Sequence, residues 1–342
     1  MKIRYWIFFC FLLLFIQCDS NKKINFKNIQ SVSCILSKDS SLIAMPLEMK
    51  IINHLLLISD FKGDSLLWIY DLSKQSMVKK DIPLGIGPNE YQPPIQLLIV
   101  DSNVINIYNR WHYNWNIMKF NKETLSFIQI QERKMVSTDI DMIYPIANNK
   151  YIASGRFKEG RYAILDSIGS ILNYFGDYPS FLSGEENIDN FPRFMFHQSQ
   201  FSYNKITGEI LSVTSHVLDI MKDTGTIPIL KKRILLSPYQ YKYRQGEEWA
   251  AANTTGDTER GVIRIATTDE YIYLLYNPNI DNLHSKNKKE VNEIWIFDWN
   301  GNPIKKLIPD YTILSFCVDR LNKTIYSIVE APEPTIAEIK LL

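Results

Sequence analysis

The sequence lacks the residue patterns by which many enzymes and metal proteins are recognised. Only four cysteines occur in 342 residues, and none forms a Cys-x-x-Cys metal motif. The histidines show no ligand spacing; they stand at positions 54, 112, 197, 216 and 284. There is no Gly-Lys-Ser/Thr phosphate loop and no Gly-x-Ser-x-Gly elbow, and Gly85-Ile86-Gly87 lacks the third glycine of a dinucleotide site. These absences predict a protein without a cofactor and with no recognisable catalytic motif.

The chain also lacks an excess of charge of either sign. It carries 38 basic and 37 acidic residues, so no global field would collect nucleic acid. Hydrophobic residues make up 46% and aromatic residues 13% of the sequence, a composition that argues against disorder. The length allows one large domain or two ordinary ones.

Long apolar runs are missing except at the amino terminus. After Lys2 and Arg4, residues 5–16 carry no charge, which is too short to span a bilayer comfortably but has the length of a signal-peptide core. The run closes on Gln17-Cys18-Asp19 and resembles a bacterial lipoprotein signal, in which the cysteine is acylated and becomes the first mature residue. Gln17 departs from the small residue that is usual there, which leaves a plain signal peptide or a signal anchor as alternatives. We expect a signal peptide over 1–17 and a lipid-anchored tether over 18–28.

The remaining sequence is a repeat of two strand-turn-strand patterns. The first pattern is an apolar strand, a polar turn and a second apolar strand. It occurs six times, over residues 49–58, 97–108, 143–154, 200–213, 263–276 and 314–329. Five copies of the second place polar turns at Asp71, Asn121, Asp166, Lys222 and Asp298, and Asn300-Gly301 in the last is a strong hairpin signal. The sixth unit ends with a single strand over 335–342.

A strand from the start of the mature chain can complete the sixth unit. The segment 29–36 alternates in the required way, which predicts an all-β, six-bladed β-propeller over 29–342, closed by the N-terminal strand pairing with the last blade. A β-sandwich or another blade number is the alternative. In the propeller, Cys34 and Cys317 lie three strand spacings apart, about 14 Å, beyond the Cα limit of about 7 Å for a bridge. We therefore predict no disulfide between them.

A family resemblance follows from the segment after the first predicted blade. Gly85-Ile86-Gly87-Pro88-Asn89-Glu90 resembles the G-x-G-P-x-E segment of the TolB-like six-bladed propeller lipoproteins of Bacteroidetes, and the final blade around Phe316–Asp319 is also similar to theirs. The resemblance covers most of the mature chain. It implies an exported, lipid-anchored outer-membrane propeller facing the periplasm or the cell surface, and it supplies no catalytic residues.

Candidate binding residues lie on the face that carries the long connections. In a propeller, the loops between second and third strands share one face with the loops between blades, and here that face receives residues 85–94, 109–115, 178–199, 238–261 and 277–291. The ligand-binding candidates are Asn89, Glu90, Arg110, Trp111, His112, Arg156, Arg161 and His197. Aromatic rings beside Asn, Arg and His suit sugar or peptide recognition.

Each candidate also has a structural interpretation. Trp111 and Trp115 can pack between blades, and Gly85-Ile86-Gly87-Pro88 can be a tight turn. Residues 191–197 have the pattern of a loop over apolar surface, in which His197 is a hydrogen-bonded structural residue. Arg156 and Arg161 flank a short turn and can be a solvated pair or meet an anion.

Two functions follow, and we expect the first. One is a non-catalytic binding or scaffold protein of the cell envelope, held at the membrane by its lipid, that recognises a glycan, a peptide or another envelope protein and no nucleic acid. The other is a hydrolase or lyase with a divalent metal at the channel mouth, using Glu90 and acids of other blades. A calcium site made of channel carboxylates and carbonyls is a further alternative, because propellers assemble such sites from different blades.

Overall fold

The computed structural model describes residues 24–39, 41, 43–87, 90–101, 103–110, 112–135, 137–247, 249–280 and 292–341. Within these residues, six sheets, each built on four antiparallel strands, are arranged as the blades of a β-propeller, and a seventh is a two-stranded hairpin. The innermost strands are β3 (Pro46–Ile52), β7 (Ile95–Ile99), β11 (Ile140–Pro145), β15 (Gln200–Asn204), β21 (Glu259–Thr267) and β25 (Ile313–Val318). Neighbouring inner strands contact one another all the way round, β25 back to β3 included.

Each blade continues outward through successive antiparallel strands. The second strands are β4 (Leu55–Asp60), β8 (Val104–Asn109), β12 (Tyr151–Gly155), β16 (Glu209–Val213), β22 (Tyr271–Ile280) and β26 (Thr324–Ala331). The third strands are β5 (Ser65–Asp71), β9 (Asn114–Asn121), β13 (Tyr162–Leu165), β17 (Val217–Lys222), β23 (Glu293–Asp298) and β27 (Glu333–Lys340). The outer strands are β6 (Ser76–Pro83), β10 (Ser126–Lys134), β14 (Ile171–Phe175), β18 (Ile229–Leu235), β24 (Pro303–Pro309) and, in blade 6, β2 (Ile35–Leu36).

Burial explains why these segments are strands of a propeller. The second strands are almost fully buried, because both faces of each blade pack against neighbouring blades, and they read as near-continuous apolar runs. Leu57 and Ile69 of blade 1 share one core cluster with Ile105 and Ile107 of blade 2. The predicted turns at Asp71, Asn121, Asp166, Lys222 and Asp298 are confirmed, since each lies between a third and an outer strand.

The N-terminal closure is confirmed, with one correction. We predicted a single strand over 29–36 on the last blade; instead β1 (Ile29–Val32) pairs in parallel with β24 of blade 5, and only β2 pairs with β27 of blade 6. The chain leaves the first ladder at Cys34, whose amide donates to the Asp310 carboxylate at 2.9 Å. The terminus therefore joins two blades, and Phe26, within the predicted tether, packs on Trp295 and is buried.

Cys34 and Cys317 are both free, as predicted, and both are buried. Cys34 belongs to the core cluster between blades 5 and 6, and Cys317 to the cluster between blades 6 and 1. Burial, which disfavours the thiolate, raises the pKa of Cys34 to about 12 and raises that of Cys317 as well.

Two inserted elements on the long-connection face were not anticipated. Residues predicted as loops contain a 3₁₀ turn (Glu185–Asn187) and helix α1 (Asn190–Phe196) between blades 3 and 4, and the hairpin β19 (Tyr241–Gln245) and β20 (Ala250–Thr254) between blades 4 and 5. Helix α1 packs against both strands of the hairpin. None of the helices in the described ranges has the length and apolarity that crossing a bilayer requires.

Candidate ligand-binding cleft

A single buried carboxylate joins the two inserted elements. Glu185 accepts hydrogen bonds from His197 Nε2 at 3.0 Å, from the Tyr239 and Tyr241 hydroxyls at 3.0 Å each, and from two backbone amides of the preceding turn. Although burial opposes ionisation, the bond from His197 and the other donors hold the pKa of Glu185 below its usual value. These two connections are therefore tied to one another, with the charged Glu185 at their junction.

His197 belongs to this junction rather than to an open site. Its side chain is fully buried, and burial lowers its pKa to about 4, so the ring is neutral at neutral pH and donates Nε2–H to Glu185. This agrees with the structural interpretation given to His197, although residues 191–196 form a helix and not the expected loop. His216 packs nearby, stacked on Phe196 at 5.6 Å, and burial lowers its pKa to about 4 as well.

Arg161 is buried in a second polar cluster and is not part of a solvated pair. Its Nη1 lies 2.6 Å from Asp219 Oδ2, and both side chains are almost fully inaccessible to solvent. Arg233 approaches the other oxygen of Asp219 at 2.8 Å. The Arg161–Asp219 pair thus holds blade 3 against blade 4, while Arg233 binds Asp219 within blade 4, so the expectation that Arg161 meets solvent or an anion is corrected.

Arg110 and Arg156, by contrast, converge on one open cleft. Arg110 lies in the β8–β9 turn and is paired with Asp141 at the start of β11. Arg156 follows β12; its Nη2 lies 3.3 Å from Asp139 Oδ1, and its guanidinium packs over the Phe191 ring at 5.7 Å. Burial raises the pKa of the Asp141 carboxyl, and the charges of Arg110 and Arg156 oppose part of that rise.

The cleft has two lobes that share Asp139 and Arg156. The first, about 300 Å³, is also lined by Arg110, Tyr113 and Phe194, and the second, about 430 Å³, by Lys158, Glu159, Tyr174, Phe191 and the hairpin residue Glu247. Its walls come from blades 2 and 3, helix α1 and the tip of the β19–β20 hairpin. All of these belong to the face that was predicted to carry the ligand.

The other candidates lie apart from these lobes or outside the described residues. His112 is exposed, with Nε2 2.9 Å from Gln92 Oε1. The Glu90 carboxylate accepts the Gly87 amide at 2.8 Å, which closes its own turn. Asn89, Trp111 and Cys18 lie outside the described residues. Of the loop predicted over 277–291, residues 277–280 belong to strand β22 and the rest lie outside the described residues.

The central channel is narrow and crossed by hydrogen bonds between blades. Its cavity is only about 40 Å³ and is lined by all six inner strands. Arg264 Nε donates to the Leu47 carbonyl at 2.7 Å, Gln96 Nε2 to the Ile143 carbonyl at 2.7 Å, and the Leu97 amide to Glu48 at 2.8 Å. Within the described ranges, no three His, Cys, Asp or Glu side chains come together in a way that could hold a metal ion.

The sequence argument missed the acidic and aromatic walls of the cleft. Asp139 and Asp141 lie on either side of the first residue of β11, on the same face as Arg110, but their connection is short and only long connections were considered. Phe191 and Phe194 lie in the segment that was interpreted as a loop over apolar surface. Asp189 at the N-cap and Pro192 in the first turn were the signals that could have indicated a helix here.

Comparison with known proteins bears on the fold. The family model described as TolB-like 6-blade propeller-like matches residues 25–321. A Bacteroides fragilis protein described as exported superposes with a TM-score of 0.59 at 12% identity, covering 94% of this chain and 98% of its own. A DUF4221 family member from Bacteroides vulgatus also gives a TM-score of 0.59, at 10% identity, over 91% of this chain and 96% of its own. No curated protein matches the chain.

Proposed function

Because the chain belongs to the TolB-like six-bladed propeller family, we propose that it is an exported, non-catalytic binding protein of the cell envelope that holds its ligand in the two-lobed cleft around Arg156. The observation that carries this proposal is the cleft itself. Its two lobes, about 300 and 430 Å³, have the volume of small-molecule sites and combine aromatic walls with a few charged groups. It is built from several separate connections on a rigid scaffold, the usual arrangement of binding sites on folds of this kind.

The junction between helix α1 and the β19–β20 hairpin supports binding without large rearrangement. Glu185 ties the helix that supplies Phe191 to the hairpin that supplies Glu247, through bonds to Tyr239 and Tyr241. A preformed site loses less conformational entropy when a ligand binds. Binding should therefore leave the backbone of this face nearly unchanged.

Two variants and a matched control test the location of the site. The chain from Asp19 onward is screened on glycan and peptide arrays, and the strongest probe is then titrated against Arg156→Gln and Phe191→Ala. Both variants should lose binding while their thermal unfolding midpoints stay near that of the parent. Lys122→Ala, in the β9–β10 turn on the opposite face, is the control and should bind normally. Loss of binding only in Lys122→Ala would place the site on the opposite face and contradict the proposal.

Export and anchoring form the second part of the proposal. We propose that residues 1–17 are removed as a signal peptide and that Cys18 is lipidated and holds the propeller at the outer membrane. The apolar run before Cys18 supports this, as does the similarity to a Bacteroides fragilis protein described as exported. Labelled palmitate should be incorporated into the full chain but not into Cys18→Ser, with Cys10→Ser as the labelled control. Equal labelling of the parent and Cys18→Ser would exclude Cys18 as the lipidated residue.

A further inference from the structure

Four of the charges that line the cleft occur as two opposed pairs. Arg110 is paired with Asp141 and Arg156 with Asp139, and the outer lobe adds one basic residue, Lys158, and two acidic ones. An anionic ligand would meet the carboxylates of these pairs, and a cationic ligand would meet the guanidiniums. At either pair, such a ligand would compete with the existing ion pair for one of its members, which is unfavourable where the pair is partly buried, as for Arg110 and Asp141.

A neutral ligand rich in hydroxyl groups avoids that conflict. A hydroxyl both donates and accepts, so adjacent hydroxyls can donate to a carboxylate and accept from the guanidinium paired with it. The side chain of Asp139 is 51% exposed and that of Arg156 is 37% exposed, so both present polar edges to the cleft. Matched pairs of this kind suit vicinal hydroxyls without a net charge.

Aromatic rings supply the apolar part of the same surface. Phe191 lies against the Arg156 guanidinium, and Tyr174 meets the buried Phe157 ring edge-on at 5.2 Å, which fixes its orientation. Both Phe191 and Tyr174 are only partly buried and line the outer lobe. Rings held in this way can stack on the C–H faces of a sugar ring while the charged pairs bind its hydroxyls.

The shape of the cleft sets the length of the ligand. The two lobes meet at Asp139 and Arg156, so a molecule bound at this pair can extend in both directions, toward Tyr113 and toward Glu247. Each lobe alone has the volume of a small-molecule site. Taking the proposed binding function as its basis, we propose that the cleft binds a neutral oligosaccharide of more than one sugar unit, centred on the Arg156–Asp139 pair.

Calorimetric titration of the chain from Asp19 onward tests this ligand class. The probes are neutral malto-, cello-, xylo- and manno-oligosaccharides of increasing length, the oligogalacturonates as anionic counterparts, and pools of acidic and basic peptides, all up to millimolar concentration. At least one neutral series should bind, with affinity that rises from the monosaccharide to the longer oligomers. Its binding should change little with salt, because no net charge is neutralised.

The variants separate failure of the ligand class from failure of the site. Phe191→Ala should lower the affinity for the neutral oligosaccharide by about tenfold through lost stacking. Asp139→Asn, a conservative change at an exposed position, should lower it by a similar factor. Lys122→Ala should leave the affinity unchanged. Binding of peptides or oligogalacturonates alone, lost in the same variants, would overturn the neutral-sugar inference and leave the cleft as the site. Binding that neither variant alters would overturn both proposals. If no probe binds, the inference on ligand class is wrong.

Discussion

Acidification should destabilise this propeller through two buried histidines. His197 donates to Glu185, and His216 has its Nδ1 3.0 Å from Ser237 Oγ; burial lowers the pKa of each ring from 6.5 to about 4. Arg161 and Arg193 further disfavour a charge on His197, while Glu185 favours it in part. The unfolded chain therefore binds protons at these positions below about pH 6.5, and the folded chain does not until about pH 4.

The sign and size of the effect follow from proton linkage. Stability rises with pH wherever the unfolded state binds more protons, so it falls as the pH drops through this window. For one histidine with these two pKa values, the free energy of unfolding falls by about 2 kcal/mol between about pH 7 and pH 5, and for both by about 4 kcal/mol. Glu185 contributes mainly at lower pH, because its pKa lies below its usual value. The raised pKa of Asp141 acts in the opposite direction, and it is unchanged in the histidine variants compared below.

Urea unfolding followed by tryptophan fluorescence at the two pH values measures this loss. The double variant His197→Gln/His216→Gln should be less stable at neutral pH but should lose far less stability on acidification. His112→Gln, at an exposed position, is the control and should behave as the parent does. If the parent and the double variant lose equal free energy between about pH 7 and pH 5, the reasoning is refuted.

Three further outcomes are expected. Asp219→Asn should lower the free energy of unfolding by about 3–5 kcal/mol, because it leaves buried guanidinium charge without its partner; Arg320→Met, at an exposed ion pair, should change it by less than about 1 kcal/mol in the same denaturant titration. Cys34 and Cys317 should both resist a thiol reagent in the folded, unreduced protein and both react after unfolding; a reagent count of zero in the unfolded state would indicate a bridge. A chain that begins at residue 37 lacks β1 and β2. Its free energy of unfolding should be at least about 5 kcal/mol lower than that of a chain that begins at residue 24, since several apolar side chains lose their burial. Equal free energies of unfolding would show that the terminus does not close the ring.

The strands and turns were predictable because their signals are local. Asp71 and Asp298 each accept the amide two residues ahead, at 2.9 Å, so the turn is specified within a few residues. Alternation of apolar residues likewise depends only on neighbouring positions. The order of six such units then sufficed to predict the ring and its closure.

The inserted elements and the buried pairs were not predictable in this way. The hydroxyls of Tyr239 and Tyr241 reach a carboxylate 54 and 56 residues earlier in the chain, and Arg161 meets Asp219 at a separation of 58 residues. No local pattern marks such partners. The same holds for the cleft, in which Arg110 and Arg156 were identified separately but their convergence depends on the packing of blade 2 against blade 3.

Hydrogen–deuterium exchange tests the location of the binding site most directly. The chain from Asp19 onward is measured with and without the oligosaccharide or peptide that the arrays identify. The account predicts slower exchange in residues 137–141, 156–159 and 190–196 and at the tip of the β19–β20 hairpin, with no change in the turns of the opposite face. Protection confined to the opposite-face turns, around Asn121 and Asp166, would contradict it.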